Sequence, residues 1–578
     1  MTYYKNKNPI RESILRSGYY KNGEKSIEEI FDRVSTAFSS NEEHRSRINK
    51  YLNSGWFVPA TPVLSNAGSN KNMPISCFLN ESEDTLKDII ETRVESEWLT
   101  SYGGGIGTNF SNIREVGSSI TEKGESGGII PIVLSNYKAV DAVMQAGSRR
   151  GAMAAYLHIS HPEIEEFLYL RTKGGNYQRK ALSMPSAHQG IIISDLFMSA
   201  VKNDRKWYFT SPKDGSKTKH GINARSLWQS ILTTRLETGE PYLLFEDNVN
   251  REAPESYKQL GLKVKMSNLC SEITLATGKD HLDKKRTAVC CLSSLNLLTY
   301  DEWKDDHQFM EDVIEFLDNV LQHFIDNAPD TVETAKYSAM RERSIGLGVM
   351  GFHSYLQSHL IDIESEEAKK VNHDIFSNLF LGGMEANSNL AEKRGANPDM
   401  EECNLNLRFS NIFAIAPTAT IGKIAGQVSK GIEPFYSTVY LDKAKEGKNT
   451  VINPVFQKLL DDKKIPEQDK IIQSIIKNDG DLRKVNAQFG FPFSAKEIKA
   501  FKPWKLIDQT KLIELAAQRQ TFICQSQSLD ILVDPRISKE KLHEIHWKAW
   551  ELGCKSLYYC RSYSVNDFGN KEDCESCQ

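Results

Sequence analysis

The sequence lacks any apolar run long enough to span a bilayer, and it carries no marked excess of either charge. A membrane helix needs about 18 to 20 consecutive apolar residues, and no stretch of the 578 residues approaches that length. The 72 basic and 76 acidic side chains leave a formal net charge of -4, which provides no electrostatic footprint for nucleic-acid binding. We therefore expect neither a membrane nor a nucleic acid among the partners.

The first residues also lack the apolar core of a secretory signal peptide. This predicts a cytoplasmic protein, in which thiols stay reduced. The 10 cysteines are then not a structural disulfide framework, and their positions become the main candidates for chemistry. With 39% hydrophobic residues, the chain is too apolar to be disordered.

The apolar pattern predicts helices that alternate with buried strands. Ser26 and Glu29 fit a capping box at the start of a helix, and residues 310–327 carry one apolar face at helical spacing. Short apolar runs suited to buried strands recur at 191–193, 242–245 and 412–415. Alternation over several hundred residues predicts an α/β fold, for which a closed barrel is one arrangement. The Lys-rich stretch 440–510 is predicted to be a peripheral helical excursion.

Two cysteines at the C-terminal end, Cys574 and Cys577, form a C-x-x-C motif. In a reducing compartment this motif indicates dithiol chemistry or a metal site. Together with Cys554 and Cys560 the pair would make up the four ligands that zinc needs, although this spacing is not a common zinc pattern. A dithiol on a polar tail is also suited to entering a buried site and exchanging with a disulfide there.

Asn268, Cys270 and Glu272 place an amide, a thiol and a carboxylate at alternate positions. If the segment is extended, the three side chains share one face. The amide orients a polar substrate, the thiol acts as a radical carrier or nucleophile, and the carboxylate acts as a base. The plainer alternative is an ordinary strand with a buried cysteine.

Other residues extend this redox interpretation. Cys290 lies in an apolar run that fits a strand, and Cys77 lies far upstream. Three separated cysteines and a tail dithiol fit a reductive reaction. One thiol initiates the reaction, two thiols are oxidised, and the tail dithiol reduces them again. Tyr558 and Tyr559 are adjacent; such pairs usually serve packing, but beside a redox site they can pass an electron and a proton stepwise.

Together these motifs resemble the catalytic large subunit of class I ribonucleotide reductase, from about residue 50 onward. The motifs are Ala60-Thr-Pro-Val-Leu, Ile75-Ser-Cys77, Asn268-Leu-Cys270-Ser-Glu272, Val289-Cys290, Ala416-Pro-Thr-Ala-Thr420, Gly431-Ile-Glu-Pro, Leu557-Tyr-Tyr559 and the C-x-x-C of the tail. The resemblance implies a ten-stranded α/β barrel over 56–565. It also implies a helical region over 1–55 and a flexible redox-active tail over 566–578.

The resemblance assigns a role to each reactive residue. Cys270 holds a thiyl radical that abstracts the 3′ hydrogen of the ribose, Glu272 takes the 3′-hydroxyl proton, and Asn268 binds the sugar hydroxyls. Cys77 and Cys290 supply two electrons and end as a disulfide. Cys290 matches better than the following cysteine, because the family's cysteine comes directly after an Ala-Val pair.

Partners and cofactors follow from the same resemblance. Cys574 and Cys577 reduce the active-site disulfide and pass the oxidation to thioredoxin or glutaredoxin. Tyr558 and Tyr559 relay the radical from a small subunit. No His, Asp or Glu arrangement has metal-ligand spacing, so we expect no metal or cofactor bound in this chain. The radical would come from the metal-containing or radical-bearing small subunit.

Substrate and effector residues are implied in the same way. The family's substrate contacts near the phosphates correspond to Thr61, Ser76, Thr418, Ala419 and Thr420, the last three lying where a helix follows a predicted strand. A nucleoside triphosphate effector at the interface of a homodimer would be bound by Asp84 and Arg114, with Arg149 in the specificity loop. Without the resemblance, Asp84 is a helix cap and Arg149 a solvated charge. The short N-terminal region predicts a form that lacks the ATP-cone.

The sequence is thus predicted to be a ribonucleoside-diphosphate reductase that makes deoxyribonucleotides for DNA synthesis. The nearest alternative is a cobalamin-dependent class II reductase, which shares the cysteines but does not need the tyrosine pair. A glycyl-radical class III enzyme fits less well, because no glycyl-radical motif lies near the tail. An alternative from another class is a nucleotide-binding regulatory protein whose cysteines are buried or bind zinc.

Overall fold

A computed structural model describes residues 9–21, 23–68, 73–121, 124–143, 151–172, 187–444 and 447–563. The helices are, in chain order, α1 (Pro9–Arg16), α2 (Ile27–Phe38), α3 (Glu42–Ser54), α4 (Thr61–Asn66), α5 (Leu86–Ser101), α6 (Ile129–Ala142), α7 (Ile164–Leu168), α8 (Asp195–Lys202), α9 (Ala224–Thr238), α10 (Glu246–Arg251), α11 (Glu255–Leu260), α12 (Tyr300–Trp303), α13 (His307–Asn327), α14 (Glu333–Glu342), α15 (Phe352–Ser358), α16 (Glu366–Arg394), α17 (Pro398–Glu402), α18 (Ala419–Ile424), α19 (Pro454–Asp462), α20 (Gln468–Lys477), α21 (Leu482–Phe489), α22 (Ala495–Ala500), α23 (Gln509–Gln520) and α24 (Lys539–Glu551). The strands are β1 (Phe57–Pro59), β2 (Cys77–Glu81), β3 (Gly105–Asn109), β4 (Ser119–Thr121), β5 (Gly124–Glu125), β6 (Met153–His158), β7 (His188–Ile193), β8 (Lys206–Trp207), β9 (Ile222–Asn223), β10 (Tyr242–Phe245), β11 (Gly278–Lys279), β12 (Lys285–Arg286), β13 (Ala288–Asn296), β14 (Ile345–Met350), β15 (Val439–Ala444), β16 (Gly447–Ile452), β17 (Ile531–Val533), β18 (Ser556–Leu557) and β19 (Cys560–Ser562).

Ten extended segments close into a barrel. Strands β2, β3, β6, β7 and β10 pair in parallel, in that order. A second parallel set starts with β13 and β14, continues through single bridges to residues 412–415 and 525–529, and ends at β18, where the Tyr558 N–H donates to the Leu529 carbonyl. The two sets meet antiparallel where β13 pairs β2 and β18 pairs β10. The predicted α/β barrel is confirmed.

The barrel wall separates two apolar cores, and strand β13 shows how the sequence divides between them. Successive side chains of a strand point to opposite faces. Cys290 and Leu292 therefore belong to the core inside the barrel, whereas Cys291 and Leu295 belong to the core between the barrel and the surrounding helices. A leucine side chain such as Leu292 or Leu295 contributes about 1.5 to 3 kcal/mol when fully buried.

The surrounding helices follow the predicted pattern. The capping box of Ser26 and Glu29 is present at the start of α2, and the apolar face predicted for 310–327 is buried along α13. Predicted strands at 191–193 and 242–245 lie in β7 and β10. Within the described residues, no helix combines the length and apolar character required to cross a bilayer.

The excursion after the barrel strand at 412–415 has its own small core. Its helices α19 to α22 bury Phe456, Leu460 and Ile475 among themselves. The helical prediction for 440–510 is confirmed for this part, but the excursion begins with a hairpin, β15 and β16, which the Lys-rich composition did not reveal.

Candidate active site

Residues 268–272, which we term the interior turn, lie inside the barrel. The Ser271 N–H donates to the Asn268 carbonyl at 3.3 Å, and Ser271 has a φ of 64°. The expectation that an extended strand aligns Asn268, Cys270 and Glu272 is therefore wrong. The Asn268 Oδ1 accepts from the backbone N–H groups of Glu272 at 3.0 Å and Ile273 at 3.1 Å. An asparagine side chain that binds nearby backbone in this way favours a turn over a strand.

The barrel wall is shaped to receive the interior turn. A Cβ on Gly107 of β3 would lie 2.3 Å from the Ser267 carbonyl oxygen and 3.1 Å from the Asn268 Cα. Only glycine therefore permits this approach. From the neighbouring strand, the Tyr156 hydroxyl donates to the Asn268 carbonyl at 2.7 Å. Burial raises the pKa of Tyr156 well above its ordinary value, so this phenol keeps the proton that it donates.

Serine hydroxyl groups from the second half of the barrel hold the other side of the interior turn. Ser528 Oγ lies 2.6 Å from the Cys270 carbonyl oxygen and 3.2 Å from Glu272 Oε2. Ser556 Oγ donates to the Ser271 carbonyl at 2.8 Å. These serines were not predicted to belong to the site, because isolated serines carry no sequence pattern.

Cys77 and Cys290 face each other across the antiparallel pair β2 and β13. Directly opposed residues in such a pair have Cα atoms about 4.5 to 5.5 Å apart, within the range that a disulfide spans. Asn268 Nδ2 lies 3.2 Å from Cys77 Sγ, so the interior turn contacts this pair. Burial, with neighbouring Cys77 and Cys291 contributing, raises the pKa of Cys290 well above its ordinary value. The thiol of Cys290 therefore retains its proton.

A cluster of tyrosines leads to Cys270. The Tyr558 hydroxyl lies 3.5 Å from Cys270 Sγ, and the Tyr558 and Tyr559 ring centroids are 4.2 Å apart. Tyr558 is buried, whereas Tyr559 is partly exposed. A third ring, Tyr242 of β10, lies 4.7 Å from Tyr558 and 5.3 Å from Tyr559. Sequence reasoning missed Tyr242 because it lies far from the pair along the chain and within an apolar strand.

Charged groups fix the outer tyrosine. The Tyr559 N–H donates to Asp530 Oδ1 at 2.9 Å, and Arg561 forms an ion pair with the same carboxylate. The Arg561 guanidinium lies 4.8 Å from the centroid of the Tyr559 ring, which is a cation–π distance. The ring position is therefore set by backbone and side-chain contacts together.

The predicted phosphate-binding residues lie close in sequence to residues of the inner core. Ala60, Cys77 and Ala416 share the inner core. Thr61 follows Ala60, Ser76 precedes Cys77, and Thr418 lies two residues after Ala416. Among the described residues, the buried Ser76 hydroxyl has no hydrogen-bond partner. Thr61 Oγ1 lies 2.7 Å from the Tyr19 hydroxyl.

The segment after Ala416 turns sharply. Thr418 has a φ of 57°, and its Oγ1 accepts from the Gly431 N–H at 2.7 Å. Helix α18 then begins at Ala419 and contains Thr420. This matches the predicted transition from a strand to a helix.

Asp84 and Arg114 form a pair on the barrel surface. Arg114 Nε lies 2.7 Å from Asp84 Oδ2, and the Arg114 N–H donates to Asp84 Oδ1 at 3.1 Å. Asp84 is not a helix cap, because Thr85 caps α5. Arg149 lies outside the described residues.

The remaining predicted residues divide between the described and the undescribed chain. Cys574 and Cys577 lie outside the described residues, whereas Cys554 and Cys560 are buried. In the part of the chain that the structure describes, every cysteine is a thiol. No group of three or more His, Cys, Asp or Glu residues there is arranged to hold a metal ion.

A closed α/β barrel that carries a thiol on an interior turn, beside an opposed cysteine pair and a tyrosine cluster, indicates an oxidoreductase. The family profile described as ribonucleotide reductase, barrel domain, matches residues 75–406 and 404–560. The profile described as ribonucleotide reductase, all-alpha domain, matches residues 7–72.

Individual relatives agree with these profiles. The ribonucleoside-diphosphate reductase large subunit of Invertebrate iridescent virus 3 is 37% identical, with 95% of this chain and 93% of the relative covered. The large chain from Schizosaccharomyces pombe is 30% identical, with 91% and 70% covered. The Actinobacillus ureae class Id ribonucleotide reductase alpha subunit superposes with a TM-score of 0.83 at 32% identity, covering 97% and 98%.

The chain belongs to the ribonucleotide reductase family, as a large-subunit member. It is an oxidoreductase of deoxyribonucleotide biosynthesis, and the predicted enzyme class is confirmed. Nothing in these matches favours the cobalamin-dependent alternative.

Proposed function

We propose that this chain is the catalytic subunit that reduces ribonucleoside diphosphates to 2′-deoxyribonucleotides through a thiyl radical on Cys270. The observation that carries the proposal is the 3.5 Å contact between the Tyr558 hydroxyl and Cys270 Sγ, on a turn that also contacts Cys77. A radical route and a reducing thiol thus meet at one place. The diphosphate substrate is supported by the names of the relatives.

The reaction begins when the radical arrives at Cys270. The small subunit supplies the one-electron oxidant. Tyr559, Tyr558 and then Cys270 are oxidised in turn, each by losing one electron and one proton. The thiyl radical removes the 3′ hydrogen of the ribose, which turns the 2′-hydroxyl into a feasible leaving group. Glu272 takes the 3′-hydroxyl proton, and Asn268 donates to a sugar hydroxyl.

The cysteine pair completes the reduction. The 2′-hydroxyl leaves as water with a proton from a thiol, and the raised pKa of Cys290 keeps that thiol protonated until then. Cys77 and Cys290 lose two electrons and form a disulfide, and Cys270 returns the hydrogen to the 3′ carbon. The sum is ribonucleotide plus dithiol to deoxyribonucleotide plus disulfide plus water.

The resting state is restored by the proposed tail, residues 566–578, beyond the proposed catalytic region 56–565 and the helical region 1–55. Cys574 and Cys577 exchange with the Cys77–Cys290 disulfide. They then pass the oxidation to thioredoxin or glutaredoxin. Exchange of this kind proceeds through thiolate attack on a disulfide sulfur.

The substrate phosphates would bind near Ala60, Cys77 and Ala416 of the inner core. Support comes from the buried Ser76 hydroxyl, which has no partner among the described residues. Thr61 and the segment Thr418, Ala419 and Thr420 would supply further hydroxyl and backbone donors.

A homodimer with an effector site is supported by an exposed apolar stripe on α5. Leu86, Ile90, Val94 and Trp98 are 74%, 44%, 41% and 43% exposed, and their spacing of four residues puts them on one helical face. An exposed apolar stripe indicates an interface. The occupant we propose is α5 of a second copy. A nucleoside triphosphate effector would bind beside it, at Asp84 and Arg114, with Arg149 completing the site.

We propose that the enzyme is cytoplasmic. Its activity is tested by a turnover assay. The chain is mixed with a candidate small subunit, a ribonucleoside diphosphate, thioredoxin and each nucleoside triphosphate in turn, and deoxynucleotide is measured. We expect product with the wild type and none with Cys270→Ser or Glu272→Ala, while both variants still bind nucleotide. Turnover by Cys270→Ser would exclude the proposal, and activity with adenosylcobalamin alone would indicate class II.

A further inference from the structure

We propose that Ser528 is a positioning residue whose single hydroxyl proton alternates between the Glu272 carboxylate and the Cys270 carbonyl during each turnover. The inference rests on the proposed function and deepens it, because it links the base to the residue that carries the radical. No sequence motif indicated it.

The geometry gives one hydroxyl two competing acceptors. Ser528 Oγ lies 2.6 Å from the Cys270 carbonyl oxygen and 3.2 Å from Glu272 Oε2. A serine hydroxyl has one proton and two lone pairs, so it can donate to only one of these atoms at a time. Ser528 is buried, where leaving a polar group unsatisfied is costly.

The preferred acceptor depends on the protonation of Glu272. When Glu272 is ionised, its carboxylate is the stronger acceptor, since hydrogen bonds to charged groups are stronger than neutral ones. When Glu272 has taken the 3′-hydroxyl proton, its own O–H can donate to Ser528 Oγ. The Ser528 proton then turns to the Cys270 carbonyl. No proton is gained or lost by Ser528, and in each state its hydroxyl donates one hydrogen bond.

The surroundings give a matched control on the same strand segment. Ser526 Oγ lies 2.7 Å from Ser556 Oγ, and only its backbone N–H reaches the interior turn, at the Glu272 carbonyl. Replacing the Ser526 side chain therefore leaves that backbone contact in place. The titratable groups that act on this region include the thiols of Cys77, Cys270 and Cys290 and the phenols of Tyr156 and Tyr558.

The experiment compares kcat, KM and the pH profile of kcat/KM for the wild type with its small subunit and for four variants. Ser528→Ala removes the hydroxyl. Ser528→Thr and Ser528→Val introduce side chains of nearly the same shape, of which only threonine carries a hydroxyl. Comparing these two variants keeps the test valid if the alanine variant folds poorly. Ser526→Ala is the control.

We expect Ser528→Ala and Ser528→Val to lower kcat about 10- to 100-fold, the size expected for one hydrogen bond to a charged group, with KM nearly unchanged. The acid limb of their kcat/KM profile should move to higher pH, because the ionised base has lost a donor. Ser528→Thr should restore kcat, and Ser526→Ala, which removes a hydroxyl that bonds Ser556 and not Glu272, should leave the acid limb at its wild-type pH.

Two results would overturn the inference: an unshifted acid limb in Ser528→Val, or equal losses in the Thr and Val variants. Either would indicate a packing role. Failure of the wild type itself to make deoxynucleotide would instead overturn the proposed function, so the two failures are distinguishable.

Discussion

Replacing Gly107 by alanine tests whether the position of the interior turn controls catalysis. The added Cβ would lie 2.3 Å from the Ser267 carbonyl oxygen, whereas ordinary contacts begin near 3.4 Å. The interior turn, residues 268–272, must therefore retreat by about 1 Å from β3, and a displacement of about 1 Å costs roughly 100-fold in rate. Overpacking of this kind also costs about 1 to 3 kcal/mol of stability.

The assay measures deoxynucleotide formation with the small subunit, together with thermal unfolding and nucleotide binding. We expect Gly107→Ala to fold and bind nucleotide but to lose about 99% of kcat. Gly18→Ala is the control, because nothing lies within 4 Å of a Cβ at that position, and it should behave as the wild type. If Gly107→Ala kept more than half of the wild-type kcat, the close approach of the interior turn to β3 would not matter for catalysis.

Three further predictions concern the radical route, the tail and the interface. Tyr558→Phe keeps the ring but removes the hydroxyl 3.5 Å from Cys270 Sγ, so turnover should stop without loss of thermal stability; residual turnover above a few per cent would contradict the relay. Cys574→Ser should give about one turnover per chain with thioredoxin yet continue with a small dithiol that enters the site directly; sustained turnover with thioredoxin would refute the shuttle. Val94→Glu adds a charge to the exposed stripe of α5, so light scattering should show effector-dependent dimers weakened at least 10-fold; unchanged dimers would place the interface elsewhere.

Much of the barrel could be predicted because its strands are buried on both faces. The runs at 191–193 and 242–245 read as continuous apolar segments, as expected for strands between two cores, and both are barrel strands. Residues 412–415 pair with their neighbours through single bridges. The apolar character of this run does not predict which segments it pairs with.

The interior turn shows where local patterns fail. Its alternating polar residues fit a strand, but the segment joins none of the described sheets. Asn268 instead satisfies the backbone N–H groups of Glu272 and Ile273 with its side chain. The contributions of Ser528 and Tyr242 depend on contacts between residues far apart in the chain. Such contacts leave no trace in a single sequence.

In the proposed reaction, Cys270 initiates the reduction, and Cys77 and Cys290 supply its two electrons. It is tested most directly by a single turnover without external reductant, using the Cys574→Ser/Cys577→Ser variant, prereduced and mixed with the small subunit, a ribonucleoside diphosphate and effector. After quenching and alkylation, mass spectrometry should find deoxynucleotide and the Cys77–Cys290 disulfide in equal amounts. Cys270→Ser in the same background should form neither. Deoxynucleotide formed while Cys77 and Cys290 both remain alkylatable, or formed by Cys270→Ser, would contradict the account.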